Sequence, residues 1–73
     1  MKFKEFPRLS PECKHEVWSV GISETSTTNP MTRKRAVAIF KERQKLGIYA
    51  ELFKAWSCVE AKNLEKYYLI KSK

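Results

Sequence analysis

The segment from Val17 to Leu52 constrains the fold of this chain more than any other. It opens with an alternating run, Val17-Trp18-Ser19-Val20-Gly21-Ile22. That alternation reads as a strand covering about 16–23, with Trp18, Val20 and Ile22 on one face and Val17, Ser19 and Gly21 on the other. Gly21 leaves room there for close approach of another group. A polar Ser/Thr loop follows from Ser23 to Asn29, and then a basic amphipathic stretch from Pro30 to Leu46. Asn29 suits a helix N-cap and Pro30 a first helical position, with Thr32 as a competing cap. Gly47 is the expected helix stop. A second apolar run, Ile48-Tyr49-Ala50-Glu51-Leu52-Phe53, reads as the next strand, with Ile48, Ala50 and Leu52 opposite Tyr49, Glu51 and Phe53. Strand, helix, strand in this order predicts a βαβ unit with a right-handed, parallel crossover.

The flanks complete a small sheet. Glu60 to Asn63 reads as a turn, and Lys66-Tyr67-Tyr68-Leu69-Ile70-Lys71 as a third strand, rich in aromatic and β-branched residues. A short connection makes strands two and three an antiparallel hairpin. Lys2 to Phe6 alternates as a short edge strand until Pro7 and Pro11 break it, leaving an arm whose Phe3, Phe6 and Leu9 pack onto the domain. The expectation is one α+β domain over residues 1–73, with an N-terminal arm at 1–15 and a βαββ core at 16–73. Its sheet is mixed, of three to four strands, with one basic helix on one face.

One helix covers one face of a sheet, and both faces here carry apolar side chains. The uncovered face is expected to be occupied by the arm, by a second copy of the chain, or by a partner. Tyr49, Phe53, Trp56 and Tyr67 are the candidate interface residues.

Charge is the second constraint. Fifteen Lys and Arg stand against eight Glu, with no Asp, for a net charge of +7 in 73 residues. Such a balance attracts nucleic acid, an anionic surface or an acidic protein. In the helix, Ala36, Val37, Ile39, Phe40 and Leu46 share a broad apolar face, and Lys34, Lys41 and Lys45 fall opposite. Arg33 and Arg43 lie within the apolar face, where their stems can pack. Arg33, Lys34, Arg35, Lys41 and Lys45 are therefore the candidate anion- or nucleic-acid-binding residues. A phosphate could also sit at the helix N-terminus beside Ser26, Thr27 and Thr28, although that loop has no glycine and no Walker pattern.

Catalytic and metal chemistry find little support. Cys13, His15 and Cys58 lack a fourth ligand and any Cys-x-x-Cys pair, so no metal site and no cofactor is expected. The two cysteines read as small buried free thiols, with an intramolecular disulfide as the alternative. A Cys13–His15 nucleophile needs the two side chains on one side of an extended stretch; an ordinary surface histidine is the simpler reading. The glutamates show no pairing suited to acid–base work. No apolar run approaches the ~20 residues of a membrane span, and residues 1–7 hold no continuous apolar core of a signal peptide. The expected location is the cytoplasm.

The run Thr32-Arg33-Lys34-Arg35-Ala36, Phe40-Lys41-Glu42 and Leu46-Gly47-Ile48-Tyr49-Ala50-Glu51-Leu52, following a strand and a Ser/Thr loop, resembles short orphan proteins encoded by bacteriophages and prophages. It covers about half the chain. The resemblance implies a protein that binds and redirects a host protein or nucleic acid, and it carries over no functional residue. Together these readings lead to a non-enzymatic basic binding module for a negatively charged partner, nucleic acid ahead of an acidic protein surface. The alternative is a phage-type inhibitor or adaptor of a host protein that uses the open aromatic sheet face; under either reading a homodimer is one expected cover for that face.

Overall fold

The computed structural model describes the backbone of residues 2–71 and the side chains through residue 67. The elements run β1 (Lys4–Glu5), β2 (His15–Gly21), α1 (Arg33–Lys45), β3 (Glu51–Ser57) and α2 (Ala61–Lys71). The architecture is α+β. A three-stranded mixed sheet has the order β1-β3-β2, with β1 parallel and β2 antiparallel to β3.

The antiparallel pairing of β2 with β3 corrects the expected parallel crossover. The reason lies in the Ser/Thr loop, which doubles back. Thr27 bridges Gly21 and Met31 bridges Trp18, so residues 27–31 run antiparallel along the outer edge of β2. Backbone bonds fasten them: Trp18 N–H to Met31 O at 2.9 Å, Met31 N–H to Trp18 O at 2.7 Å, and Thr28 N–H to Val20 O at 2.9 Å. The Thr28 hydroxyl also accepts the Val20 N–H at 3.0 Å. The edge of β2 is thereby covered, and α1 starts beside Trp18 rather than beyond Ile22. Running from there, α1 ends near the far end of β2. The chain then enters β3 opposite Gly21 and descends antiparallel, from Gly21↔Glu51 to His15↔Ser57.

The core lies between α1 and one sheet face. Trp18, Val20 and Leu52 from the sheet meet Ala36 and Phe40 from α1 and Met31 from the returning loop, with Val37, Ile39 and Ala50 packed around them. Val20 and Leu52 are register partners and both are fully buried. Each contributes roughly 1.5–3 kcal/mol of burial. Their faces are those the alternation separates in each strand, and the position of α1 makes them the inward ones.

Thr32, rather than Asn29, occupies the N-cap of α1. Its extended backbone makes the entry, but its hydroxyl caps nothing. Gly47 ends the helix with φ at +73°, the left-handed conformation that glycine adopts without steric cost. Leu46 and Ile22, both expected on packed faces, are exposed, because each sits just past the end of its element.

The second correction is at the C-terminal end. Residues 66–71 belong to helix α2, not to a third core strand. Asn63 and Leu64 both donate to the Glu60 carbonyl, starting the helix where a turn was expected. Ala61 is buried and Leu64 half-buried, the i, i+3 spacing of a helical face. The described residues therefore form two helices rather than one. The faces expected for Tyr68, Leu69 and Ile70 lie outside the described residues. The short edge strand near the N-terminus is present as β1, and Phe6 extends it by donating to Lys54 O at 2.9 Å.

Candidate functional site: the outer face of the basic helix

Helix α1 reads RKRAVAIFKERQK, six cations and one acid, with no acid in its first turn. Packing of Ala36 and Phe40 onto the sheet fixes which way it faces. Lys34, Ala38, Lys41, Glu42 and Lys45 then point to solvent, and Arg35 flanks them. Lys34, Lys41 and Lys45 thus share one face at the expected spacing. Ala38 lies between them and is small enough to allow a close approach.

The arginines at the inner edge are used differently. The Arg33 guanidinium lies over the Trp18 ring, 5.5 Å from its centroid. Arg43 Nε donates to Tyr49 O at 2.8 Å and its terminal nitrogen to Ile22 O at 3.2 Å. Arg43 therefore ties the C-terminal part of α1 to the chain on either side of it. Arg33, expected to bind an anion, still has an exposed side chain, but a cation–π contact orients it.

Among the described residues, three of the eight acids form ion pairs away from α1, while Glu42 shares its solvent face with the lysines. Lys54, from the middle strand, points to the helix side of the sheet between Glu5 of β1 at 3.4 Å and Glu16 of β2 at 3.9 Å. Glu51 meets Lys4 at 2.8 Å and accepts the Tyr49 hydroxyl at 2.8 Å. Glu51 is held below the ordinary glutamate range by the hydrogen bond from Lys4 first and from Tyr49 second. Among the described residues, Lys34, Arg35, Lys41 and Lys45 form no ion pair.

The N-terminus of α1, expected to be open to phosphate, is met by the protein itself. Glu65 of α2 accepts the Thr32 N–H at 2.9 Å. Its charge also suits the positive end of the helix. Thr28 is occupied by Val20, and Ser26 O accepts the N–H groups of Ile22 and Ser23, so the loop is organised around its own backbone.

The four expected interface aromatics do not share one face. Phe53 and Trp56 lie on opposite faces of β3, since they are three residues apart in a strand. Phe6 stacks on Phe53 at 5.5 Å between ring centroids, covering part of the face away from α1. Trp56 lies on the helix side, under Arg8 at 4.3 Å and Lys54 at 4.8 Å. Tyr67 is on α2 and Tyr49 on the segment before β3. The arm therefore serves both faces: Phe6 on one, Phe3 edge-on to Trp18 at 4.9 Å on the other. Leu9, also expected to pack, is 92% exposed.

Around Tyr49 stand three exposed apolar residues that were not among the candidates. Ile22, Leu46, Ile48 and Tyr49 are all exposed at the end of the sheet where α1 hands over to β3, beside Lys45. The signal in the sequence was Leu46-Gly47-Ile48-Tyr49: apolar residues placed around a helix stop, where neither neighbouring element can bury them.

Cys13 and Cys58 are not buried thiols. Cys13 is half-buried and Cys58 exposed, with their sulfurs 2.8 Å apart. Among the described residues no three of His, Cys and Glu come together as a metal site, and no helix is long and apolar enough to cross a membrane. An open hollow of about 430 Å³ lies between Phe3, Phe40, Ala50 and Leu52. Lys2 is on its rim, and also on that of the hollow beside Lys41. No protein-family model, curated protein or solved structure matches this chain.

Proposed function

We propose that the protein is a non-enzymatic binding module whose outer α1 face, Lys34, Arg35, Lys41 and Lys45, docks on a polyanion, with nucleic acid as the preferred partner. The observation that carries this reading is the absence of ion pairs on those four cations, among the described residues, while Glu5, Glu16 and Glu51 pair elsewhere. Unpaired surface lysines lose little on meeting phosphates, and each phosphate neutralised releases counterions. Helix packing fixes the backbone positions of these residues, so the spacing of the charges is set before binding. Arg33 stands at the edge of that face and adds a charge oriented by Trp18.

Labelled single- and double-stranded nucleic acid, titrated across a salt series, tests the proposal. Affinity should fall steeply with salt, and Lys34→Glu with Lys41→Glu should abolish binding. Binding that is indifferent to salt, or to the double reversal, would exclude it.

A second reading has its own support in the exposed cluster of Ile22, Leu46, Ile48 and Tyr49 beside Lys45. An apolar patch with a basic rim suits an acidic protein surface, as in an adaptor or inhibitor of a host protein. Leu46→Ser and Ile48→Ser would then abolish the complex, whereas the lysine reversals would mainly slow association.

A further inference from the structure

We infer that Cys13 and Cys58 are a modification site: a dithiol pair that closes into an intramolecular disulfide on meeting a low-molecular-weight disulfide such as oxidised glutathione. Two independent features place the thiols together. Their sulfurs are 2.8 Å apart although the residues are 45 positions apart in the chain. The backbone also brings them to one place, because His15 and Ser57 are the last register partners of the β2–β3 ladder. Cys13 lies just before that pair and Cys58 just after it. Each is in a turn with its own bonds: Cys13 N–H to Ser10 O at 3.0 Å and Lys14 N–H to Glu12 O at 3.0 Å on one side, Val59 N–H to the Ser57 hydroxyl at 3.0 Å on the other. Cys58 is exposed, so a small disulfide can reach the pair.

The chemistry is thiol–disulfide exchange. One cysteine, as thiolate, attacks a sulfur of the glutathione disulfide. An S–S bond forms to the protein, and one glutathione thiolate leaves. The second cysteine, as thiolate, then attacks the protein sulfur of that mixed disulfide and expels the second glutathione thiolate. The protein loses two protons and two electrons; one glutathione disulfide becomes two thiols. The Cys58 thiol is pushed up from its ordinary value, first by its hydrogen bond to Cys13, then by lost hydration and by the charges of Cys13 and Glu12. Exchange should accordingly quicken as pH rises.

The ring closed by this bond contains β2, the returning loop, α1 and β3, and so the whole core from Trp18 to Leu52. It leaves β1 and α2 outside. Closing so long a loop restricts the unfolded chain strongly. For a domain of this size, the unfolding midpoint should rise by about 10 °C or more.

The full-length protein, incubated with oxidised glutathione, is read by intact mass, free-thiol titration and thermal unfolding. The expected product is a monomer that has lost two hydrogens and both free thiols, with the raised midpoint. Cys13→Ser and Cys58→Ser should each stop at a stable glutathione adduct with no such rise, and both should fold, since neither residue belongs to the core. If the unmutated protein instead accumulates stable glutathione adducts or covalent dimers, or forms the disulfide without any gain in midpoint, the inference is overturned.

Discussion

The carboxylate of Glu65, on α2, accepts the backbone N–H of Thr32, the N-cap of α1, at 2.9 Å. In a capping box that bond comes from an acid in the first turn of the same helix. Here the first turn is Arg33-Lys34-Arg35, which leaves no acid to supply it. The second helix provides the missing carboxylate, and with it a negative charge where the helix dipole and three cations favour one. The basic face and its stabilising contact are therefore built from segments 33 positions apart in the sequence.

Replacing Glu65 with Ala should lower global stability by about 1 kcal/mol, the usual scale of a lost cap. Glu65→Gln keeps an acceptor but not the charge, and should fall between the two. Urea unfolding midpoints of the three proteins give the order. Equal midpoints for Glu65→Ala and the unmutated protein would show that the bond contributes nothing.

Gly21 and Phe53 make a second prediction. A Cβ at Gly21 would stand 2.9 Å from Phe53 Cε2 and 3.3 Å from Glu51 Cβ. The Phe53 ring has limited freedom to yield, because Phe6 stacks on it. Gly21→Ala should cost about 1–3 kcal/mol, the range for overfilling a packed site. It should also loosen the arm, seen as faster amide exchange at Phe6. A variant as stable as the parent, with Phe6 equally protected, would mean that the ring moves freely.

The network of Lys4, Glu51 and Tyr49 ties β1 to the start of β3, and its pH dependence has a definite sign. The Lys4 ammonium is raised above its ordinary value, first by the hydrogen bond to Glu51. The Tyr49 phenol is raised by its own bond to Glu51, and Glu51 is lowered by both. A depressed carboxyl contributes stability above its unfolded value of about 4.3, lost as pH falls through the lower folded value. The raised phenol and ammonium contribute below their unfolded values of about 10 and 10.4, and lose it as pH rises through the higher folded ones. The stability difference between the protein and Glu51→Gln should thus be level from about pH 5 to 10 and shrink on either side. In an NMR titration, Glu51→Gln should move the ionisation of Tyr49 down toward its ordinary value. An unmoved Tyr49 would mean that the hydrogen bond is absent in solution.

The sequence carried part of the layered core. Alternation grouped Trp18 with Val20 on one face of β2 and Ala50 with Leu52 on one face of the next strand, without showing which face α1 covers, and the 3.6-residue period of α1 put Lys34, Lys41 and Lys45 opposite its apolar face. Strand direction was not legible, because it turns on whether residues 27–31 cross a gap or run back along β2. That depends on Thr28 meeting Val20, a contact no local pattern encodes. Helix α2 was misread through Tyr67 to Ile70, whose types favour strands. Strong helix formers from Ala61 to Lys66, and the spacing of Ala61 and Leu64, pointed the other way. The candidate interface residues are scattered for a related reason: Phe53 and Trp56 are aromatic alike, but odd spacing in a strand puts them on opposite faces.

The central claim concerns one helix face, so the most direct measurement is residue-resolved. Amide NMR spectra recorded while a short single-stranded oligonucleotide is added should show the largest shifts at Lys34, Ala38, Lys41 and Lys45. Those shifts should collapse as salt is raised. Shifts concentrated instead at Ile22, Leu46 and Ile48, or no shifts at low salt, would contradict the assignment of that face to a polyanion.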